Sequence, residues 1–392
     1  MHILAAFDKC KDSLTAREIC SIAKNTVRKL NSTISVDTIP ISDGGEGFAD
    51  LLTEYKSGIF HHFSVLDSIA RKKNVAIGII ESVNIDSSIF EFVNLPKNKR
   101  IAVVEMSSVV GLSDLKNSER NPWKTSTYGV GQLLAKVSEL DVGGIILGIG
   151  GSSTNDIGIG ALKGLGMELL NNCGEDILFP SPNTWSDIKD ISINNLLNLP
   201  PIRIACDVNN PLLGLNGATY QFGSQKGLLS EDKERMEQGV TDISDKLSAT
   251  FDKSLSLREN SGAGAAGGIG YGLNLFYDVE FIPGFSLVKK WFDLESKIKN
   301  SDLILTGEGR FDKTSLYGKG PYEIIQLASK FNKPTFLLAG SVDSEVLSHF
   351  DSSYSNLKID SFGNEELKLE ENLARASEFF EKKLIEVLSF VK

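Results

Sequence analysis

Ile3-Leu4-Ala5-Ala6-Phe7-Asp8, followed at a short distance by Thr15-Ala16-Arg17-Glu18, opens the chain and decides its class. The apolar run 3–7 reads as a strand that delivers Asp8 at its carboxyl end. Thr15 and Glu18 make a capping box, in which each side chain satisfies a free N–H at a helix start. Ile19, Ile22, Ala23, Val27 and Leu30 then recur at helical spacing and form one apolar stripe. Residues 35–39 are the next strand. After Gly47, Phe48, Leu51, Leu52 and Tyr55 give a second stripe. Strands alternating with helices imply parallel pairing through right-handed crossovers.

The last hundred residues repeat the alternation. Val288, Trp291, Phe292 and Ile298 mark a helix, 303–305 a buried strand, and Tyr322, Ile325, Ala328 and Phe331 a helix. Residues 335–339 form a strand, 357–362 a weaker one, and Leu373, Ala376, Phe380, Leu384, Val387 and Leu388 a final helix. The middle of the chain differs. Residues 75–80 and 88–94 read as an antiparallel strand pair, followed by a strand at 101–105. Val130, Leu133, Leu134 and Val137 form a helix after Ser126. Residues 144–147 and 201–206 are further strands, and the polar stretch 171–200 is an irregular excursion. No internal repeat is visible. The expected fold is α/β with two domains. A doubly wound parallel-sheet domain takes both chain ends, 1–60 plus 286–392, and a mixed α/β domain, 61–285, is inserted between them.

Composition agrees. At ~150 residues per domain the 392 residues suggest about two or three domains. With 41% apolar and 23% charged residues the chain is an ordinary globular sequence, long enough for more than one core. A net charge of −10 argues against a general nucleic-acid or membrane-surface binder, while leaving room for a local basic patch that takes an anionic metabolite. Cys10, Cys20, Cys173 and Cys206 show no C-x-x-C spacing and read as reduced thiols. None of the four histidines lies in a glycine-rich motif, which leaves a histidine triad or a His-ligated zinc without support. The N-terminus has no basic leader, and no apolar run approaches ~18 residues. A cytoplasmic protein with no membrane or nucleic-acid partner is expected.

Glycine carries the functional signal, because its excess is clustered. Gly148-Ile149-Gly150-Gly151-Ser152-Ser153-Thr154-Asn155-Asp156 follows an apolar strand and precedes a helix-like run at 160–170. Consecutive N–H groups in such a loop form an anion nest, and a helix start adds positive potential. Ser152, Ser153 and Thr154 offer hydroxyl donors. A tight turn with capping serines is the alternative, but it needs fewer glycines. Gly262-x-Gly264-x-x-Gly267 is a formal G-x-G-x-x-G without an apolar strand before it. Close backbone packing and a second phosphate-facing loop both explain it. A P-loop is excluded, since Lys313 stands where its first glycine belongs and Gly320 where Ser or Thr is needed. Carboxylates recur at strand ends as Asp8, Asp43 with Glu46, Asp207, and Glu308 with Asp312; Lys9, Lys11, Arg310, Lys313 and Lys319 share these segments. Acids and cations around anion nests fit Mg²⁺-assisted phosphoryl transfer to an anionic acceptor.

Taken together these segments resemble the bacterial glycerate kinase family. The matching stretches are Phe7-Asp8-Lys9-Cys10-Lys11-Asp12-Ser13-Leu14-Thr15-Ala16, Ser42-Asp43-Gly44-Gly45-Glu46-Gly47, Glu105-Met106-Ser107 with Gly111-Leu112, and Thr125-Ser126-Thr127-Tyr128-Gly129-Val130-Gly131. The loop 148–158, Ala205-Cys206-Asp207-Val208-Asn209-Asn210-Pro211-Leu212, the segment 262–270, Thr306-Gly307-Glu308-Gly309-Arg310-Phe311-Asp312 and Gly318-Lys319-Gly320-Pro321 complete them. The chain departs at Phe7 and Asp12, where the family often has proline and glycine, and at Cys10, where an aromatic is common. The resemblance implies an active site in the cleft between two α/β domains and transfer of the ATP γ-phosphoryl group to D-glycerate, with 2-phosphoglycerate favoured over 3-phosphoglycerate as product. On that basis Gly150, Gly151, Ser152, Ser153, Thr154 and Asn155, with Gly264 and Gly267, are expected to hold ATP. Glu46 and Glu308 are expected to hold Mg²⁺. Arg310, Lys319 and Asp8 are expected to bind substrate, and Asp207, Asp43 and Lys11 to serve catalysis, with Asp207 the first choice of base and Asp43 the second. Oligomeric state stays open, a homodimer included. Two other readings stand beside this one: a small-molecule kinase of the galactokinase-like superfamily, and a non-catalytic two-domain protein that binds a carboxylate.

Overall fold

The computed structural model describes residues 1–42, 44–316, 318–350 and 354–389; Asp43, the second-choice base, lies outside the described residues. In chain order the strands are β1 (His2–Phe7), β2 (Ser35–Thr38), β3 (Ile59–Leu66), β4 (Lys72–Ile80), β5 (Arg100–Glu105), β6 (Val142–Gly148), β7 (Glu168–Leu170) and β8 (Asp190–Ser192). They continue with β9 (Ile202–Ala205), β10 (Val279–Ile282), β11 (Leu303–Gly307), β12 (Arg310–Phe311), β13 (Thr335–Ala339), β14 (Ser341–Val342) and β15 (Leu357–Ser361). The chain divides into two compact units, Met1–Asp43 with Val288–Lys392, and Gly44–Leu287.

The first unit is built on a five-stranded sheet of order β15-β13-β11-β1-β2. All its pairings are parallel, as the strand–helix alternation requires. The helix Ala16–Leu30 starts at the expected capping box: the Glu18 amide donates to Thr15 Oγ1 at 3.2 Å, and the Thr15 amide donates to Glu18 Oε2 at 2.8 Å. Its buried face, Ile19, Cys20, Ala23 and Val27, joins Phe7, Phe362 and Phe380 in one core, where Phe380 packs edge-on against both other rings. The single stripe expected across 288–298 is broken. Asp293 adopts φ 49°, so one helix ends at Trp291 and another begins at Leu294.

The second unit carries a six-stranded mixed sheet of order β10-β9-β6-β5-β4-β3. Strands β10, β9, β6 and β5 run parallel, and β4 pairs antiparallel with both β5 and β3. The helix Phe48–Tyr55 packs on β4 and β5. The expected strand partner of 75–80 is a helix. Residues 88–94 are not a strand but lie in the helix Ser87–Val93, which buries Ile89, Phe90 and Val93; Asn94 then ends it in the left-handed conformation. The antiparallel partners of β4 are β3 and β5. The helical run expected over 160–170 is also shorter. The helix Ile159–Gly164 stops before Gly166 at φ +107°, and β7 follows. A helix of so few residues adds little dipole to the glycine-rich loop, which weakens the helix-start contribution expected there. Among the described residues no helix is long and apolar enough to cross a membrane.

Candidate active site

Phe7 and Gly307 are register partners in β1 and β11, so Asp8 and Glu308 leave neighbouring strands at the same edge. Strand order reverses between these two strands, and ligands of doubly wound sheets bind outside the carboxyl ends at such a point. A cavity of about 730 Å³ opens there. Asp8, Lys9, Lys11, Glu308, Arg310, Asp312 and Lys319 all line it, and Phe362, Leu367, Leu369 and Leu373 contribute apolar surface. The structure therefore gathers the expected substrate residues Arg310, Lys319 and Asp8 with Lys11 and Glu308. Lys313, by contrast, is exposed and is not among the lining residues.

Glu308 is the most enclosed of these charges, at 6% exposure. Its Oε2 lies 3.5 Å from the Lys319 ammonium, while Oε1 is buried without a hydrogen-bond partner among the described residues. Burial raises its pKa above the ordinary carboxylate range, and the Lys319 charge acts against that rise. Asp312 behaves oppositely. Burial acts upward on it too, but the Thr314 hydroxyl and amide, Lys319 and Arg310 together hold it low. Cys10 also lines the cavity. Burial first, then the charges of Asp8 and Glu308, push its thiol up to about 12, so it is no nucleophile at neutral pH.

Magnesium is held by one or two carboxylates plus substrate phosphate oxygens, not by a protein cage. Glu308, with an orphaned buried oxygen, and Asp8 on the adjoining strand end supply that donor set. Among the described residues no group of three or more His, Cys, Asp or Glu is placed to hold a metal by protein ligands alone. The residues present thus fit Mg²⁺ carried in with a phosphate ligand. Glu46, the other expected ligand, is exposed in the second unit.

The glycine-rich loop of the second unit leaves β6 and is strapped from several sides. The Gly150 amide donates to the Gly44 carbonyl at 2.9 Å, and a Cβ at residue 150 would stand 2.7 Å from Gly45 Cα, so only glycine allows that approach. Ser153 uses both its amide and its hydroxyl on the Val110 carbonyl, at 2.9 and 2.8 Å. It does not offer the free donor expected of it. Ser152, Ser153, Thr154 and Asn155 are all buried, which leaves Gly150 and Gly151 as the accessible part of the loop. Asp156 anchors the far end: its carboxylate accepts the Thr127 amide and hydroxyl at 2.7 and 2.8 Å and the Gly160 amide at 3.2 Å. Burial nonetheless raises its pKa.

Gly264 and Gly267 are also buried. A Cβ on Gly264 would meet the Pro211 carbonyl at 2.1 Å, and one on Gly267 the Thr154 carbonyl at 2.2 Å. Of the two explanations for the G-x-G-x-x-G pattern, close backbone packing is the one the structure displays: Gly267 lies against the loop, and Gly264 against the turn that follows β9. Asp207 follows β9, half-buried, and its Oδ2 accepts the Phe285 amide at 3.0 Å, which orients the carboxylate.

Three buried charged groups lie outside the expected site residues. Lys226 donates to Ser152 Oγ and to the Thr154 carbonyl, and burial pushes its ammonium down to about 7 while Asp156 pulls the other way. Asp156 itself is the second. Glu105, at the end of β5, accepts the Ser107 hydroxyl at 2.6 Å and the Ala49 amide at 3.1 Å, so it ties the segment after Gly44 to β5; burial raises its pKa against those bonds. Glu105 and Asp156 stand in stretches the sequence marks out, at a strand end and at the end of the glycine-rich run, whereas Lys226 stands in none.

The profile of the family described as the Glycerate kinase family matches residues 3–392. A glycerate kinase of Haemophilus influenzae is 33% identical over 354 residues, which cover 90% of this chain and 89% of that protein. A glycerate 2-kinase of Escherichia coli is 32% identical over 348 residues, covering 88% and 87% respectively. The crystal structure of a protein assigned as glycerate kinase 2 from Salmonella typhimurium LT2 superposes with a TM-score of 0.75 at 29% identity, covering all of this chain and 98% of that one.

Proposed function

The chain belongs to the glycerate kinase family, a family of kinases, and from that premise we propose that it transfers the γ-phosphoryl group of ATP to a hydroxyl of D-glycerate with Mg²⁺ as cofactor. The observation that carries the proposal is the cavity beyond β1 and β11, where cations and carboxylates share one ligand-sized space. Cavities of roughly 300–1,000 Å³ suit metabolite-sized ligands. Whole-chain family membership leaves no ground for the galactokinase-like alternative.

Arg310, with Lys11 and Lys319, pairs with the glycerate carboxylate; a guanidinium fork matches its two oxygens. Glu308 and Asp8 would hold Mg²⁺, which when bound neutralises charge on the transferred phosphoryl group. The accessible part of the loop 150–155, the backbone at Gly150 and Gly151, receives the phosphate chain. The substrate hydroxyl oxygen forms a bond to the γ-phosphorus as the bond to the bridging oxygen breaks, ADP leaves, and Asp207 accepts the hydroxyl proton. The proposed product is 2-phosphoglycerate, in keeping with the Escherichia coli relative's name.

Phosphorus NMR of the product from glycerate, ATP and Mg²⁺ tests this directly. A phosphomonoester doublet, from coupling to the single proton on C2, is expected. A triplet from the two protons on C3 would overturn the regiochemistry, and loss of ATP signal without a new ester would overturn the activity.

A further inference from the structure

Lys226 ends the short 3-10 turn Ser224–Lys226 and is 2% exposed. Its ammonium donates to Ser152 Oγ at 3.1 Å and to the Thr154 carbonyl at 2.6 Å. These two acceptors flank Ser153, whose own amide and hydroxyl both go to Val110. Gly227, at φ +93°, continues the turn so close to the Arg120 carbonyl that a Cβ would stand 2.1 Å from it. Several separate segments therefore converge to carry one positive charge to the back of one loop.

Packing does not explain that charge. An ammonium is among the costliest groups to bury, and an apolar side chain of similar length fills the same space without the cost. What the ammonium does that methionine cannot do is hold a carbonyl and a hydroxyl of the loop in fixed directions. On the same loop Thr154 Oγ1 and both polar atoms of Asn155 are buried without partners among the described residues. The fold leaves those groups unsatisfied there while spending a lysine on their neighbours.

We propose that Lys226 is a positioning residue, which sets the backbone of loop 150–155 from behind to receive the phosphate chain of the nucleotide, without touching the nucleotide itself. The proposal rests on the phosphate-cradling role given to that loop above. Lys226 acts through Ser152 and Thr154, so its loss misaligns phosphate binding and leaves glycerate recognition in the first unit alone.

The test uses the full chain. In Lys226→Met the KM for ATP is expected to rise about tenfold or more, the worth of a charged hydrogen bond. The KM for glycerate should stay within about twofold, and the melting temperature should hold or rise because a buried charge is gone. In the unaltered protein with ¹⁵N-labelled lysine, the Lys226 Nζ resonance should shift on adding ADP and not on adding glycerate. A folded Lys226→Met with both KM values unchanged overturns the proposal. So does an equal rise of both KM values with a lower melting temperature, which marks a merely structural lysine. Should that variant not fold, an Nζ resonance that ignores ADP overturns it. Absence of glycerate-dependent ATP consumption by the unaltered protein defeats the kinase reading instead, and the ADP response still decides Lys226.

Discussion

Glu308 Oε2 lies 3.5 Å from Lys319 Nζ, so a carboxylate enclosed at the end of β11 faces the capping residue of the helix Gly320–Lys330. Burial and the lysine charge act on Glu308 in opposite directions, and burial wins. The group is therefore poised to gain or lose its proton above the ordinary carboxylate range. A cation arriving with a phosphate ligand would favour the ionised form.

Glu308→Gln should lower kcat by roughly 10²-fold, the scale of losing one charge-stabilising group. In the unaltered enzyme the acid limb of the pH–kcat/KM profile, which reports the free enzyme, should sit above the usual glutamate range and vanish in the variant. Stability gives a second readout. A carboxyl whose folded pKa is raised stabilises the fold fully below its unfolded pKa and loses that contribution as pH rises through the folded value. The melting temperature of the unaltered enzyme should therefore fall more across that interval than that of Glu308→Gln. Parallel melting curves would show that Glu308 titrates normally.

Asp207→Asn should cost ~10²–10⁴ in kcat if Asp207 takes the hydroxyl proton. The melting temperature should hardly move, because the asparagine oxygen still accepts the Phe285 amide that the carboxylate accepts at 3.0 Å. Near-normal turnover in a folded variant would remove Asp207 as the base.

Some of this was readable residue by residue. The capping box at Thr15 and Glu18 fixes a helix start through side chains four positions apart at most, and such local chemistry survives into the fold. Asp8 and Glu308 share one sheet edge because β1 and β11 are parallel neighbours; the alternation implies the parallel direction, and the fold supplies the adjacency. Residues 88–94 misled because Ile89, Phe90, Phe92 and Val93 are β-branched or aromatic, and a short apolar run does not reveal its period. β3 was missed because His61, His62 and Ser64 dilute its apolar residues. Lys226 carried no signal at all. It stands among Ser224, Gln225 and Gly227, and only the packing of Gly227 on Arg120 places it inside. The donors of Ser153 were unreadable for the same reason, since Val110 claims them across 43 residues of sequence.

Arg310→Ala should raise the KM for glycerate by about 10–100-fold, the range for losing a charge-assisted pair, with the KM for ATP within about twofold. Its side chain is 69% exposed and contacts Asp312 at 3.3 Å, so the arginine contributes little to folding and the melting temperature should stay put. Arg310→Lys should recover only part of the loss, because an ammonium cannot match both carboxylate oxygens at once. Steady-state kinetics with each substrate varied in turn decides the matter. A rise in the KM for ATP alone would move Arg310 to the phosphates.

Gly267→Ala and Gly174→Ala separate backbone strain from steric contact. The two glycines share almost the same left-handed conformation, φ +74° and +75°. An alanine in that region costs about 1–2 kcal/mol at either site. Around Gly174 nothing lies within 4 Å of the added Cβ, so strain is its whole cost. At Gly267 the Cβ would stand 2.2 Å from the Thr154 carbonyl and 2.6 Å from Asn155 Cα, and the neighbour is backbone that cannot rotate away. Overpacking of that kind adds roughly 1–3 kcal/mol, so Gly267→Ala should melt several degrees below Gly174→Ala. Because the displaced atoms belong to the loop that Lys226 holds, Gly267→Ala should also weaken ATP binding, while Gly174→Ala leaves it as it was. Equal melting temperatures in the two variants would mean that Gly267 does not press on the loop.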